Sequence, residues 1–337
     1  MKIQGMGWVT PLGTGLDEVH ARLLSGEPAD ISEVTSPHSV RRHRCMRVPQ
    51  KLVEDIGRNP RMRRSSSISH FTAIAALSAL ENAGIKITPE MADRTALVFS
   101  IANGGVIYTR KFYETVVTQG ANAASPLLFP ETVYNAPASH VAALLGLTGM
   151  SYTLVGDSSV GITALKFAEQ LLDTTDIDRC LVVGGEEIDW ILCEAYHIGR
   201  FPMLLAEGAA ALLLGRSGKV SLNPIHSGIP FFNQKGGSQA LRQVFHDLQT
   251  SGPVDLAICG GNGTPKDLAE QAALEEFFPG SAPFFPKQSL GEPMGAGALI
   301  QTIHGVLALQ QRGSGRALVS APGLNQQASG LLIESAL

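Results

Sequence analysis

The sequence predicts an α/β protein made of two comparable halves, each a β-sheet covered by helices. Near-continuous apolar segments, such as residues 95–100 and 179–187, are typical of strands buried on both faces, and stretches with apolar residues at helical spacing lie between them. The chain has 337 residues, which is more than one hydrophobic core usually serves. Its 36 glycines fit the many short turns that this alternation needs.

The elements of the first half alternate between strand and helix, which indicates a parallel sheet covered on both faces. A short strand and a turn are predicted within residues 1–15, and further strands near residues 95–100, 152–155, 179–187 and 207–215. Helices are predicted near residues 17–24, 69–83, 108–117, 135–145 and 164–172. Residues 27–64 between the first two helices are polar and irregular in pattern.

The second half begins near residue 218 and repeats the theme. Strands are predicted near residues 220–224, 254–259, 317–320 and 330–333, and helices near 238–248 and 268–277. A glycine-rich turn, residues 287–298, opens a further helix that runs to residue 309. We therefore expect a duplicated architecture, with residues 1–217 as the N-terminal half and 218–337 as the C-terminal half, although no clean sequence repeat is present.

Composition narrows the class of function. A net charge of −4 argues against nucleic acid as the partner. The four cysteines, Cys45, Cys180, Cys193 and Cys259, are scattered without metal-ligand spacing, so we expect no metal, no cofactor and a cytoplasmic location. The N-terminus has no continuous apolar run, and no later stretch is long enough to span a bilayer, so we expect neither a signal peptide nor a membrane span.

Two groups of basic residues lie in the irregular region, at residues 41–44 and 61–64. Such runs are usually solvated surface. The alternative is a docking surface for an acidic partner, which electrostatic attraction would steer onto it.

The turn from the predicted strand at 152–155 into the following helix is the most informative stretch of the chain. It places Asp157, Ser158 and Ser159 at a helix N-terminus, where free backbone N–H groups and the helix dipole favour negative charge. This is a suitable position for a nucleophile. The alternative is that Asp157 or Ser158 caps the helix, as Asp and Ser commonly do.

Several motifs, taken in order, resemble those of the β-ketoacyl synthases of the thiolase-like superfamily, and the similarity covers nearly the whole chain. The similar stretches are residues 5–13, Phe129, Asn135, residues 138–141, residues 181–187, residues 207–210, residues 263–265 with Asp267, and residues 287–289 with Gly291. The resemblance implies a thiolase-like fold, in which two α/β halves form an αβαβα layered sandwich. It also implies a site between the halves and dimers built across the first half.

The departures from the family are informative as well. The resemblance implies a cysteine nucleophile and two histidines in members that condense acyl chains. Here Ser158 stands at the cysteine position, with Ser159 as a one-residue alternative, and Asn262 and Glu292 stand at the two histidine positions. Lys287 and Asp267 lie in the same two blocks as supporting residues, and the glycine-rich gating loop is reduced to Gly323, Leu324 and Asn325.

These substitutions remove the groups that condensation needs. A serine hydroxyl is a weak nucleophile without a neighbouring base. General-base help contributes roughly 10²–10⁴-fold, whereas a helix dipole contributes about 0.3–1 kcal/mol. An anionic Glu292 would repel a developing enolate unless burial kept it protonated. Asn262 can donate a hydrogen bond but not a proton.

We therefore expect a catalytically degenerate ketosynthase-like subunit that, like a chain-length factor, pairs with an active ketosynthase. Its expected partners are an active ketosynthase subunit in a heterodimer and an acyl carrier protein, in fatty acid, aryl polyene or polyketide biosynthesis. One alternative is an acyltransferase or thioesterase for carrier-protein or coenzyme A thioesters, with Ser158 as acyl acceptor and Glu292 as base. Another is a homodimeric scaffold that binds an acyl chain.

Overall fold

The structure, a computed structural model, describes residues 1–38, 40–249, 252–264, 266–324 and 326–335. Its strands are β1 Lys2–Val9, β2 Ile31–Thr35, β3 Arg42–Met46, β4 Thr95–Ile101, β5 Ser151–Val155, β6 Arg179–Glu186, β7 Leu205–Ala206, β8 Gly208–Gly215, β9 Val220–Pro230, β10 Leu256–Ile258, β11 Ala282–Phe284, β12 Gly315–Ala321 and β13 Gln327–Ser335. Its helices are α1 Leu16–Leu24, α2 Glu54–Arg58, α3 Ser67–Asn82, α4 Pro89–Ala92, α5 Val106–Gln119, α6 Ala136–Leu145, α7 Val160–Thr174, α8 Trp190–Ile198, α9 Gln234–Gln249, α10 Lys266–Phe277, α11 Pro286–Leu290 and α12 Met294–Arg312.

The strand order repeats between the two halves. Within the described residues, one ten-stranded sheet runs β11-β10-β12-β13-β9-β1-β8-β6-β4-β5. Each half contributes five strands to this sheet. When these are numbered in chain order within their own half, both halves have the order third, second, fourth, fifth, first from the outer edge of the sheet to its middle. The halves meet where β1 pairs with β9, through Lys2 with Ser221 and Ile3 with Val220. The repeat supports our proposal of a boundary at residues 217 and 218, in the turn between β8 and β9.

The helices form three layers around the strands. Helix α3 packs on β1, β6 and β8 on one outer face, and α9 packs on β9 and β13 on the other. Helices α7 and α12 lie between the two sets of strands, and nearly every residue of α12 is buried. The predicted αβαβα arrangement is thus confirmed. None of the described helices, α12 included, is long and apolar enough to cross a membrane.

The strand directions differ in part from the predicted parallel sheet. Strands β5, β4 and β6 are parallel, as are β11, β10 and β12. The remaining pairs of this sheet, β6 with β8, β8 with β1, β1 with β9, β9 with β13 and β13 with β12, are antiparallel. A near-continuous apolar strand reports burial on both faces, and in a layered sandwich antiparallel strands are buried in the same way.

Residues 27–64 contain more regular structure than their composition indicates. Strands β2 and β3 lie in this region and form a small three-stranded sheet with β7 from residues 205–206. Helix α2 follows β3 in the chain. In β3 the exposed Arg42 and Arg44 alternate with the buried His43 and Cys45. This alternation with a period of two is typical of a half-buried strand. A search for apolar residues misses it because one of these two buried side chains, His43, is polar and the exposed ones are charged.

Candidate functional site

The turn that the sequence singles out does connect a strand to a helix. Strand β5 ends at Val155 and α7 begins at Val160. Ser158 is buried in this turn and lines a cavity of about 340 Å³, together with Asn262, Asp267 and Gly323. Among the described residues, none forms a hydrogen bond with the Ser158 hydroxyl. The structure therefore brings four of the predicted site residues to one cavity.

Asp157, beside Ser158, links the helix start to the C-terminal loop. Its carboxylate oxygen Oδ1 accepts hydrogen bonds from the Ser159 backbone N–H at 3.0 Å and from the Ser159 hydroxyl at 2.7 Å. Its other oxygen, Oδ2, accepts from the backbone N–H of Leu324 at 2.6 Å and of Gln326 at 3.1 Å. Asp157 is itself buried. A buried carboxylate thus occupies a group of converging N–H donors that favours an anion.

The loop that Asp157 holds passes close to its side chain. The Gln326 carboxamide oxygen accepts the Asp157 backbone N–H at 3.2 Å, so the contact is reciprocal. Gly323 has a φ of 67°, and a Cβ there would lie 1.9 Å from the carbonyl oxygen of Gln327. Only glycine fits both the left-handed backbone and this close approach. Asn325, part of the predicted loop, lies outside the described residues.

Asn262 lies in the loop between β10 and α10. The Asp267 carboxylate accepts the backbone N–H of Asn262 at 3.2 Å and of Gly263 at 2.9 Å, which fixes the turn. Glu270 accepts the backbone N–H of Gly260 at 2.8 Å, and burial raises the pKa of Glu270 to about 7. Asp267 therefore positions the backbone of Asn262 and Gly263. Pro265, in the same predicted motif, lies outside the described residues.

Glu292 lies behind Asn262 and is engaged on both of its oxygens. Oε2 accepts from the Lys287 ammonium at 2.9 Å and from the Asn262 carboxamide nitrogen at 2.9 Å. The side chains of Lys287 and Glu292 are only 4% and 1% exposed, so this is a buried ion pair. Glu292 is thus part of a buried network with Lys287 and Asn262.

Two acidic side chains meet the start of the central helix α12. Glu292 Oε1 accepts the Met294 backbone N–H at 3.2 Å, and Glu186 accepts that of Gly295 at 3.3 Å. Burial raises the pKa of Glu186 to about 8, although its carboxyl group also accepts backbone N–H groups of Ala102 and Asn103. Free N–H groups and the dipole at a helix start suit acceptors of this kind. Glu292 thus acts as a helix-terminal anchor.

The site differs from the sequence expectation in its connections. Ser158 and Asn262 share the cavity, but among the described residues Ser158 makes no hydrogen bond to Glu292. Ser159 bonds to Asp157. The link from Asp157 to Leu324 spans 167 positions, so no local pattern in the sequence could have indicated it. Side chains from the segment after α8, among them Met203, also line the cavity and were not predicted.

Comparisons with known proteins agree with this architecture. Residues 2–217 match the family model described as "Beta-ketoacyl synthase, N-terminal domain". The 3-oxoacyl-[acyl-carrier-protein] synthase 2 of Vibrio harveyi is 22% identical, over 91% of this chain and 85% of that protein. The enzyme of the same name from Staphylococcus aureus is also 22% identical, over 91% of this chain and 87% of its own length.

Solved structures with the same fold include ketosynthases and a ketosynthase/chain length factor. The ishigamide ketosynthase/chain length factor aligns with a TM-score of 0.85 and 18% identity, covering 100% of this chain and 99% of that chain. A β-ketoacyl synthase from Burkholderia phymatum aligns with a TM-score of 0.84 and 16% identity, covering 100% of both chains. A type II PKS acyl-carrier protein in complex with its ketosynthase gives a TM-score of 0.78 at 13% identity, with 99% of each chain covered. These likenesses confirm the predicted thiolase-like fold.

Proposed function

The chain belongs to the beta-ketoacyl synthase family, and we propose that within it the chain is a non-condensing subunit, similar to a chain-length factor, that pairs with an active ketosynthase. In such a pair the active partner supplies the cysteine and histidines, and this chain supplies the interface. Biosynthesis of fatty acids, polyketides or aryl polyenes is the proposed setting, and an acyl carrier protein is the proposed second partner.

The buried pair of Lys287 and Glu292 is the observation that carries the proposal. Both oxygens of Glu292 are engaged, by Lys287, Asn262 and the start of α12. Glu292 is the one carboxylate that the acyltransferase alternative assigns as a base for Ser158. A base must lie within hydrogen-bonding reach of the proton that it removes, and the engaged carboxylate bonds elsewhere. Ser158 is left as an unactivated hydroxyl.

Asp157 adds a second obstacle to acyl transfer. An acyl-transfer site needs N–H donors aimed at the oxyanion that forms beside the nucleophile. The backbone N–H groups of Leu324 and Gln326, in the loop that contacts the residue before Ser158, already bond to the Asp157 carboxylate. An oxyanion that approached them would meet a fixed negative charge. This supports a role without covalent acyl chemistry.

An exposed strand edge is the proposed surface for the ketosynthase partner. Strand β5 is the last strand of the sheet, with β4 as its one neighbour in the described chain. On β5 the side chains of Tyr152 and Val155 are 41% and 52% exposed, and the nearby segment before α6 exposes Leu127 and Phe129. An unpaired edge beside apolar side chains is suited to strand pairing with a second chain of the same fold.

A basic surface supports the proposed contact with a carrier protein. Arg61, Arg63 and Arg64 are exposed, and none forms an ion pair with a described residue. The other basic group is partly neutralised, because Arg41 pairs with Glu194 and Arg42 with Glu33. Unpaired cations attract an acidic partner by long-range electrostatics. Residues 61–64 are therefore the proposed contact with an acidic carrier protein.

Replacing Val155 with lysine is expected to weaken the pairing with a co-expressed condensing ketosynthase by at least about tenfold, since a desolvated charge in an apolar contact is unfavourable. The dissociation constant is measured by analytical ultracentrifugation of the purified pair. Leu268→Lys is the matched control, because Leu268 is 71% exposed on α10 in the other half. That variant is expected to pair like the wild type.

Either of two results would contradict the proposed interface: equal affinity of Val155→Lys and wild type, or copurification with no ketosynthase of the same genome. A stable homodimer that survives in the absence of any partner would favour the alternative of a homodimeric acyl-binding scaffold.

A further inference from the structure

A second cavity lies at the opposite end of the strands from the site. It has a volume of about 510 Å³ and is bordered by the start of β1, the end of α3, the start of β6 and the turn between β8 and β9. Arg179, at this cavity, is the first residue of β6, and Glu186, near the site, is the last. At about 3.3 Å per residue the two ends are about 23 Å apart. The cavity is thus separate from the one that Ser158 lines.

The strand that forms one wall is distorted at this point. The pairing register between β1 and β8 shifts between Ile3 and Gly5, so that Gln4 forms a β-bulge. Gly215 lies beneath the Gln4 side chain, and a Cβ at Gly215 would lie 2.5 Å from Gln4 Nε2. Gln4 Nε2 donates to Ser217 at 3.2 Å. Bulges of this kind often re-aim a side chain towards a binding site.

The polar side chains that line the cavity are cationic or neutral, and two of their atoms have no hydrogen-bond partner among the described residues. Arg179 and Lys219 are its charged lining residues, and no Asp or Glu lines it among the described residues. In the same part of the chain, neither Arg179 Nε nor Gln4 Oε1 has a hydrogen-bond partner, although both atoms are buried. The nearby Asp178 carboxylate bonds to Arg94 at 2.7 and 2.8 Å. A buried donor left unpaired, such as Arg179 Nε, is costly unless an acceptor satisfies it, whereas the Gln4 Oε1 acceptor would need a donor and does not support an anion.

We propose that this cavity binds the phosphate group of a small phosphorylated molecule. The planar guanidinium of Arg179 can bond two phosphate oxygens at once, and the Lys219 ammonium adds a second positive charge. Apolar residues of the same lining, including Ile85 and Val306, accommodate a carbon substituent on the phosphate. The volume lies within the range of small-molecule pockets.

The test is isothermal titration calorimetry of the full chain with inorganic phosphate and with phenyl phosphate, at constant ionic strength set with chloride. Both probes are expected to bind, and Arg179→Gln is expected to weaken both by at least about tenfold. Lys219→Gln is expected to weaken them severalfold. Lys86→Gln is the matched control, because this exposed lysine lies near the cavity but not in its lining.

Comparison of the two probes also distinguishes an organic phosphate from free phosphate as the ligand. Tighter binding of phenyl phosphate identifies an organic phosphate, and equal binding identifies free phosphate as the ligand. Absence of binding by the wild type, or equal weakening by Lys86→Gln and Arg179→Gln, would overturn the proposal. Circular dichroism checks the fold of each variant. If Arg179→Gln does not fold, the effect of Lys219→Gln on phosphate binding decides the test, because Lys219 is exposed and its replacement should not disturb the fold.

Discussion

Replacing Lys287 with methionine is expected to lower the free energy of unfolding by about 3–5 kcal/mol, as for other buried ion pairs that lose one partner. The loss arises because Glu292, 1% exposed, would be left buried without the ammonium that compensates it. Urea denaturation followed by circular dichroism measures the change. A loss of this size would place Glu292 in the framework of the site rather than in its chemistry.

Two controls make the measurement specific to the buried pair. Arg58→Met breaks exposed ion pairs with Glu54 and Asp55 and is expected to change the free energy of unfolding by less than about 1 kcal/mol. The double variant Lys287→Met/Glu292→Leu removes both charges and is expected to be more stable than Lys287→Met alone. A loss below about 1 kcal/mol for Lys287→Met would show that the pair does not contribute as described.

Replacing Asp157 with alanine is expected to lower the free energy of unfolding by about 2–5 kcal/mol. Hydrogen bonds to a charged acceptor contribute about 1.5–3 kcal/mol each, and buried donors left unpaired add to the loss. The variant leaves the backbone N–H groups of Leu324, Gln326 and Ser159 without the acceptor that they share. Urea denaturation measures the change, and faster hydrogen exchange of the two loop amides reports where it arises.

The neighbouring residue provides the matched control for Asp157. Ser158→Ala removes a hydroxyl that bonds to no described residue, and is expected to change stability by less than about 1 kcal/mol. Asp157→Asn keeps one acceptor oxygen but loses the charge, so its loss is expected to lie between the two. Equal losses for Asp157→Ala and Ser158→Ala would contradict the anchoring role of Asp157.

Much of the fold could be predicted because local patterns report burial. The apolar run of Thr95–Ile101 and the helical spacing in Val160–Thr174 identify elements that the structure contains. Strand direction could not be obtained in this way, because β6 and β8 are equally buried but antiparallel. The small sheet of β2 and β3 was missed because its strands expose charged residues.

The hydrogen bonds of the candidate site residues could not be predicted from the sequence. Family motifs indicate where Ser158, Asn262 and Glu292 stand, and the structure places the first two at one cavity. What each side chain bonds to depends on the three-dimensional packing. The links from Asp157 to Leu324 and from Asn262 to Glu292 join segments that are 167 and 30 positions apart. No helical or strand period relates residues at those separations.

We propose that this chain supports a ketosynthase without forming an acyl intermediate itself. This claim is tested most directly by the intact masses of both subunits after the copurified pair has been incubated with malonyl, acetyl and longer acyl thioesters. The expected result is an acyl adduct on the partner and none on this chain, in the wild type as in Ser158→Ala. An adduct on this chain that disappears in Ser158→Ala would contradict the claim and identify Ser158 as a working nucleophile.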